Sequence, residues 1–191
     1  MEVRPRAEPA PERLGESDGR STWLLALRRG DPLPTAIRVG SRHFVALVAF
    51  DAAAATDGEL HRLFARLLAG GAVALGTWGR DAARLARVSE DAVLFAETEA
   101  DEQHVVMTTS HEGESLEEAL HHALRRAQPS EAWIETCGAV LVVCAGPPAW
   151  EAACRAALAD PVAFAARMEA PCAAHSAAPA GRGARVRRRS R

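Results

Sequence analysis

The sequence predicts an α/β domain: a three-layer sandwich with a mostly parallel sheet of about four to five strands and helices on both faces. Two observations carry this. Short, nearly all-apolar runs recur along the chain, as strands buried on both faces require, and the stretches between them are amphipathic with helix-capping signals. Length agrees, because 191 residues suit one domain with tails, and 48% hydrophobic with 25% charged residues is an ordinary globular balance.

The first run, "HFVALVAF" (43–50), reads as a doubly buried strand. A helix follows in "TDGELHRLFARLLAGG", where Thr56 and Glu59 have capping-box spacing, Leu60, Leu63, Phe64, Leu67 and Leu68 share one face, and Gly70 or Gly71 is the stop. "AVALGT" (72–77) is the second strand and "RDAARLARVSED" the second helix. "AVLFAE" (92–97) suits a short edge strand or an extended connection equally. "HVVMTT" (104–109) is a strand, and Ser115 with Glu118 caps the helix of "SLEEALHHALRRA". "GAVLVVCAG" (138–146) is the last strand, and Pro147 or Pro148 opens the helix "AWEAACRAALAD" where proline is tolerated. Ahead of these units, "STWLLALRRG" fits a short helix ending at Gly30, with "PLPTAIRV" as an extended lead-in that covers a sheet edge.

The domain is therefore expected over residues 21–160. Residues 1–20, with Pro5, Pro9 and Pro11 among charges, read as a disordered leader, and residues 161–191 as a flexible Arg-rich tail. That tail holds seven Arg and one acid, so a net charge of +6 follows a domain of −8. Arg182, Arg185, Arg187, Arg188, Arg189 and Arg191 suggest weak, salt-sensitive contact with nucleic acid, although a bystander tail explains them as well. No apolar run spans a membrane and the N-terminus lacks a signal-like apolar region, so a cytoplasmic protein is expected. The four cysteines form no C-x-x-C pair and are expected to be reduced, mostly buried thiols.

All 23 basic residues are Arg and the chain has no Tyr. Lacking Lys, it cannot run P-loop, lysine Schiff-base or pyridoxal-lysine chemistry, nor carry the lysine of a phospho-receiver domain. No cofactor is expected.

Ligands of open parallel sheets collect beyond the carboxyl ends of the strands. That edge gathers Asp51, then Thr77, Trp78, Gly79 and Arg80, then Thr108, Thr109, Ser110, His111 and Glu112. His111 with Asp51 or Glu112 could act as a general base, and Thr109 or Ser110 as a nucleophile, but there is no G-x-S-x-G elbow and such hydroxyls commonly serve turns and caps. Trp78 either plugs the core or faces a ligand. Gly76 and Gly79 lack the G-x-G-x-x-G pattern, and tight turns account for both. Asp51, Asp81, Glu112 and His111 could hold a hard cation, but acids near helix N-termini need no metal, and none is expected. His121 and His122, adjacent on a helix, read as one surface and one half-buried imidazole.

The segments "PLPTAIRVGSRHFVALVAFD", "GAVALGTWGRDAARL", "VVMTTSHEGESLEEALHHAL" and "VVCAGPPAW" resemble, in that order, a family of small bacterial α/β proteins known only as a domain of unknown function. The family's strand-end T-W-G and M-T-T-x-H motifs fall on Thr77–Gly79 and on Met107–His111, with Ser110 where the family often has Trp. The resemblance implies the fold and the shared edge and brings no activity. The expected function is a non-catalytic binding or protein-interaction module using the carboxyl edge of the sheet, for a protein or small-molecule partner. The alternatives are a hydrolase or phosphate-ester enzyme with His111 and a carboxylate there, and nucleic-acid binding through the tail.

Overall fold

The computed structural model describes residues 7–96 and 105–170. Its centre is a six-stranded sheet rather than one of four or five, in the order β1-β2-β6-β3-β4-β5. The strands are β1 Glu12–Ser17, β2 Arg20–Ala26, β3 His43–Phe50, β4 Ala72–Trp78, β5 Met107–Ser110 and β6 Cys137–Ala145. Only β1 runs antiparallel to its neighbour. The helices are α1 Asp57–Ala69, α2 Ala82–Ala96, α3 Leu116–His121, α4 Pro148–Ala159 and α5 Pro161–Glu169.

Strand alternation divides the core. Phe44, Ala46 and Val48 of β3 and Leu141 and Val143 of β6 pack with Leu60, Phe64 and Leu67 of α1 and Leu85 and Val88 of α2. Val45 and Leu47, with Val140 and Val142, pack with Leu120 of α3, Leu158 of α4 and Phe164 of α5. Both faces of the two central strands are thus buried, which is why they read as unbroken apolar runs. Both capping boxes form: the Glu59 N–H donates to Thr56 Oγ1 at 3.3 Å and the Thr56 N–H to Glu59 Oε2 at 2.8 Å, and Ser115 and Glu118 reciprocate at 2.7 and 3.2 Å.

Four expectations are corrected. "STWLLAL" is not a helix but β2, paired with β6 inside the sheet. An apolar run of this length satisfies either element, and the decision lies in tertiary pairing: Leu25 faces α1, Leu24 the opposite layer, and buried Thr22 donates its hydroxyl to Leu158 O at 2.8 Å. Part of the expected leader is β1, a charged strand whose Gly15 lies against α4, where a Cβ would come within 2.6 Å of Leu158 O. Charge along it is what an edge strand requires, and composition alone mistakes it for disorder. Residues 92–96 continue α2, with Ala92 and Val93 buried and Leu94 exposed. The start of the expected tail is α5, begun by Asp160, whose Oδ1 accepts from the Ala163 N–H at 3.0 Å, and by Pro161 at the first helical position, with Phe164 buried. The Arg182–Arg191 segment lies outside the described residues, as does His104; Val105 and Val106, expected in the strand, precede β5, which begins at Met107. Among the described residues no helix is long and apolar enough to cross a membrane.

Candidate functional site

The strand-end residues divide into two networks. Asp51 follows β3, accepts from the Ala53 N–H and pairs with Arg80 at 3.4 Å. The turn behind it is braced by Arg84, which donates to Ala52 O, Ala55 O and Asp57. Arg87 and then Arg84 hydrogen-bond to Asp57 and hold its carboxyl below the usual range. His111 belongs elsewhere. Strand β4 lies between β3 and β5, separating these networks by on the order of 10 Å of sheet.

His111 follows β5 and is buried, its N–H donating to Thr77 O at 2.9 Å. Its carboxylate partner is neither Asp51 nor Glu112 but Glu114, with Nδ1 to Oε2 at 2.9 Å; Nε2 lies 3.4 Å from Thr109 Oγ1. The Glu114 carboxylate at Nδ1 orients the ring so that Nε2 faces Thr109 Oγ1. The His122 ring stands edge-on to His111 at 4.7 Å between centroids.

Trp78 has a defined task. It is half-buried, lies at 4.7 Å edge-on to Trp150, and donates its indole N–H to Glu114 O at 2.8 Å. Glu114 is therefore held by its carbonyl to Trp78 while its carboxylate holds His111, so the indole fixes the loop that orients the imidazole. Thr77 is buried and donates to Thr109 O at 3.4 Å, Ser110 pairs with Thr77, and Thr108 is half-buried in β5. Gly79 makes a turn with φ +133°.

A cavity of about 260 Å³ opens beside His111, on the sheet face rather than beyond the strand ends. Ala74 and Gly76 of β4, Met107 and Thr109 of β5, and His122 and Arg126 line it. Gly76 is not a turn residue but sits within β4, where a Cβ would lie 3.4 Å from both His111 Nε2 and Thr109 Oγ1. After α3 the chain makes a π-helical turn, His122–Arg126, with the Ala127 N–H donating to His122 O at 2.8 Å. Such turns concentrate at functional sites. His121, expected with its neighbour to supply one surface imidazole, is buried and meets Glu169 at 3.2 Å.

Sequence reasoning missed Glu114, His122 and Arg126 as parts of this group. The spacing of His111 and Glu114 and the i,i+4 spacing of His122 and Arg126 were the signals that could have found them. Among the described residues no three His, Cys, Asp or Glu side chains converge to hold a metal. Cys137, Cys144 and Cys154 are free and buried. Burial pushes the Cys137 thiol up, and a hydrogen bond shared with Cys144, then burial, pushes Cys154 up, away from nucleophilic chemistry.

Burial first, and then the charge of His111, lowers the pKa of His122; burial, then Arg42, lowers that of His43. For a base with a depressed folded value, the unfolded chain takes up protons first. Stability is thus full above the ordinary histidine value of 6.5 and declines as pH falls through it toward the folded values. Thermal unfolding across this interval is expected to show the decline, and the double variant His43→Gln/His122→Gln to flatten it. An unchanged slope in the double variant would show that other groups govern it.

No curated protein and no solved structure matches the chain. A family match covers residues 22–161, which include the sheet from β2 to β6, His111 and the π-helical turn. The chain belongs to the family described as a domain of unknown function, DUF7684.

Proposed function

We propose that this domain binds a small carboxylate or phosphate in the cavity between β4, β5 and the π-helical turn. The observation that carries the reading is the missing side chain at Gly76, which clears the space before His111 Nε2 and Thr109 Oγ1. His122 and Arg126 line the same space, and the Arg126 guanidinium is the group that would meet the anion's charge. The volume suits a compact metabolite anion. In this reading Trp78 serves as the clamp on Glu114, and the carboxyl edge contributes Thr109 and His111.

The test is a thermal-shift titration with inorganic phosphate, acetate, pyruvate and citrate. A ligand at about 100 times its Kd stabilises the native state by about 2.7 kcal/mol. One of these anions is expected to raise the Tm, with the rise lost in both His111→Ala and Arg126→Ala. A flat response to all four, or a rise that survives both substitutions, defeats the reading.

One observation favours a second reading, hydrolysis. Thr109, His111 and Glu114 stand in the order hydroxyl, imidazole, carboxylate. As Thr109 Oγ1 attacked an acyl carbon, its proton would pass to Nε2, and the imidazolium would then protonate the leaving group. A p-nitrophenyl acetate burst that disappears in Thr109→Ala distinguishes this from binding alone.

A further inference from the structure

A second cavity, of about 570 Å³, opens at the carboxyl ends of β2, β6 and β3. Connectivity creates it. β3 leads into α1 on one face of the sheet and its neighbour β6 leads into α4 on the other, so the two connections leave in opposite directions and a crevice remains. The end of β6 stays low there, because Ala145 carries only a methyl and a Cβ on Gly146 would strike the Trp150 ring at 2.2 Å.

Leu27, Leu33, Phe50 and Leu63 supply apolar lining. Four arginines join them, Arg28 and Arg29 from the loop after β2 and Arg62 and Arg66 from α1. The acids of the crevice are already engaged. Asp31 accepts from the Arg28 N–H at 2.8 Å, Asp51 pairs with Arg80 at 3.4 Å, and Glu59 accepts from Thr56 at 2.8 Å in its capping box. Arg66 donates to Thr35 O at 2.6 Å. Among the described residues Arg28, Arg29 and Arg62 make no ion pair, and Arg62 acts on the Glu59 carboxyl only through space. Three guanidinium groups with no ion pair among the described residues therefore line one apolar-walled crevice from two elements.

We propose that this crevice binds an organic phosphate of mononucleotide size, with its phosphates held by Arg28, Arg29 and Arg62 and its base against Phe50 and Leu33. Guanidinium forks match phosphate oxygens two at a time, so an array of them selects a polyanionic group over a single carboxylate. The volume lies within the roughly 300–1,000 Å³ of ordinary ligand pockets, and the apolar walls give a bare anion no reason to be preferred. The site shares no residue with the His111 cavity.

The experiment is a fluorescence titration of the full chain with methylanthraniloyl-ADP, competed by ADP, adenosine and pyrophosphate. Saturable binding is expected, weakened by about tenfold or more in Arg28→Ala/Arg62→Ala and in Arg29→Ala. His111→Ala is expected to leave it unchanged, which separates this site from the anion cavity. All three arginines are exposed, so the variants should keep the wild-type Tm, and Arg62→Lys should lose less affinity than Arg62→Ala. Absence of saturation up to about millimolar probe overturns the proposal. So does binding indifferent to the arginines, pyrophosphate competing as tightly as ADP, or adenosine competing as tightly as ADP.

Discussion

Gly79→Ala is expected to destabilise the domain by about 3 kcal/mol or more, from a strained backbone conformation together with steric overlap. Gly79 has φ +133°, and a Cβ there would sit 2.3 Å from Phe50 O and 3.0 Å from Phe50 C. These are backbone atoms at the end of β3 and cannot swing away as a side chain would. Their position is fixed on both sides, by Ala49 pairing with Trp78 and by the Asp51 N–H donating to Ala145 O at 2.8 Å. The control is Gly113→Ala. Gly113 also has a positive φ, +79°, but a Cβ added there would meet nothing within 4 Å, so only the conformational cost of about 1 kcal/mol remains. Denaturant unfolding of the two variants checks this, and equal losses would remove steric overlap from the account.

The same turn shows what a sequence conveys and what it withholds. The strand before Trp78 and the reversal after it follow from apolar patterning and a glycine, because both are local. That the indole reaches Glu114, thirty-six residues away, depends on β4 and β5 pairing and on how the loop after β5 folds. β3, α1 and β6 were legible for the same reason as the turn: double burial leaves an unbroken apolar run, and a capping box declares itself at fixed spacing. β2 was not, since Trp23–Leu27 satisfies a helix and a strand alike and β6, which decides between them, lies more than a hundred residues on. Polar strand β1 and helix α5 were lost to composition, which registers charge and proline but not the partner that buries one side. At the candidate site His111 was visible as the polar end of an apolar strand. His122 and Arg126 were legible only as an i,i+4 pair, because the π geometry of the turn that brings them to the cavity is announced by no residue type in it. Gly76 was misread for a related reason: its role is set by what Thr109 and His111 do opposite it.

Gly76→Val sets local preference against the site, and the site is expected to prevail. In a buried strand a β-branched residue is favoured over glycine, by about 1 kcal/mol from backbone entropy and side-chain packing. The new Cβ meets Leu47 Cδ1 at 3.2 Å, the flexible end of a side chain that can turn aside, so the gain and this crowding nearly cancel and the Tm should move little. The methyls beyond that Cβ have nowhere to go except the space in front of His111 Nε2 and Thr109 Oγ1, each already 3.4 Å from it. Loss of anion binding by about a hundredfold, equivalent to about 2.7 kcal/mol, is therefore expected in a folded protein, with Gly76→Ala intermediate. The readout is isothermal titration with the anion that stabilises the wild type, beside circular dichroism of the variant. Undiminished affinity in a folded Gly76→Val protein would mean that the cavity is not where the anion sits, and would move the search to the arginine-lined crevice on the opposite side of β3.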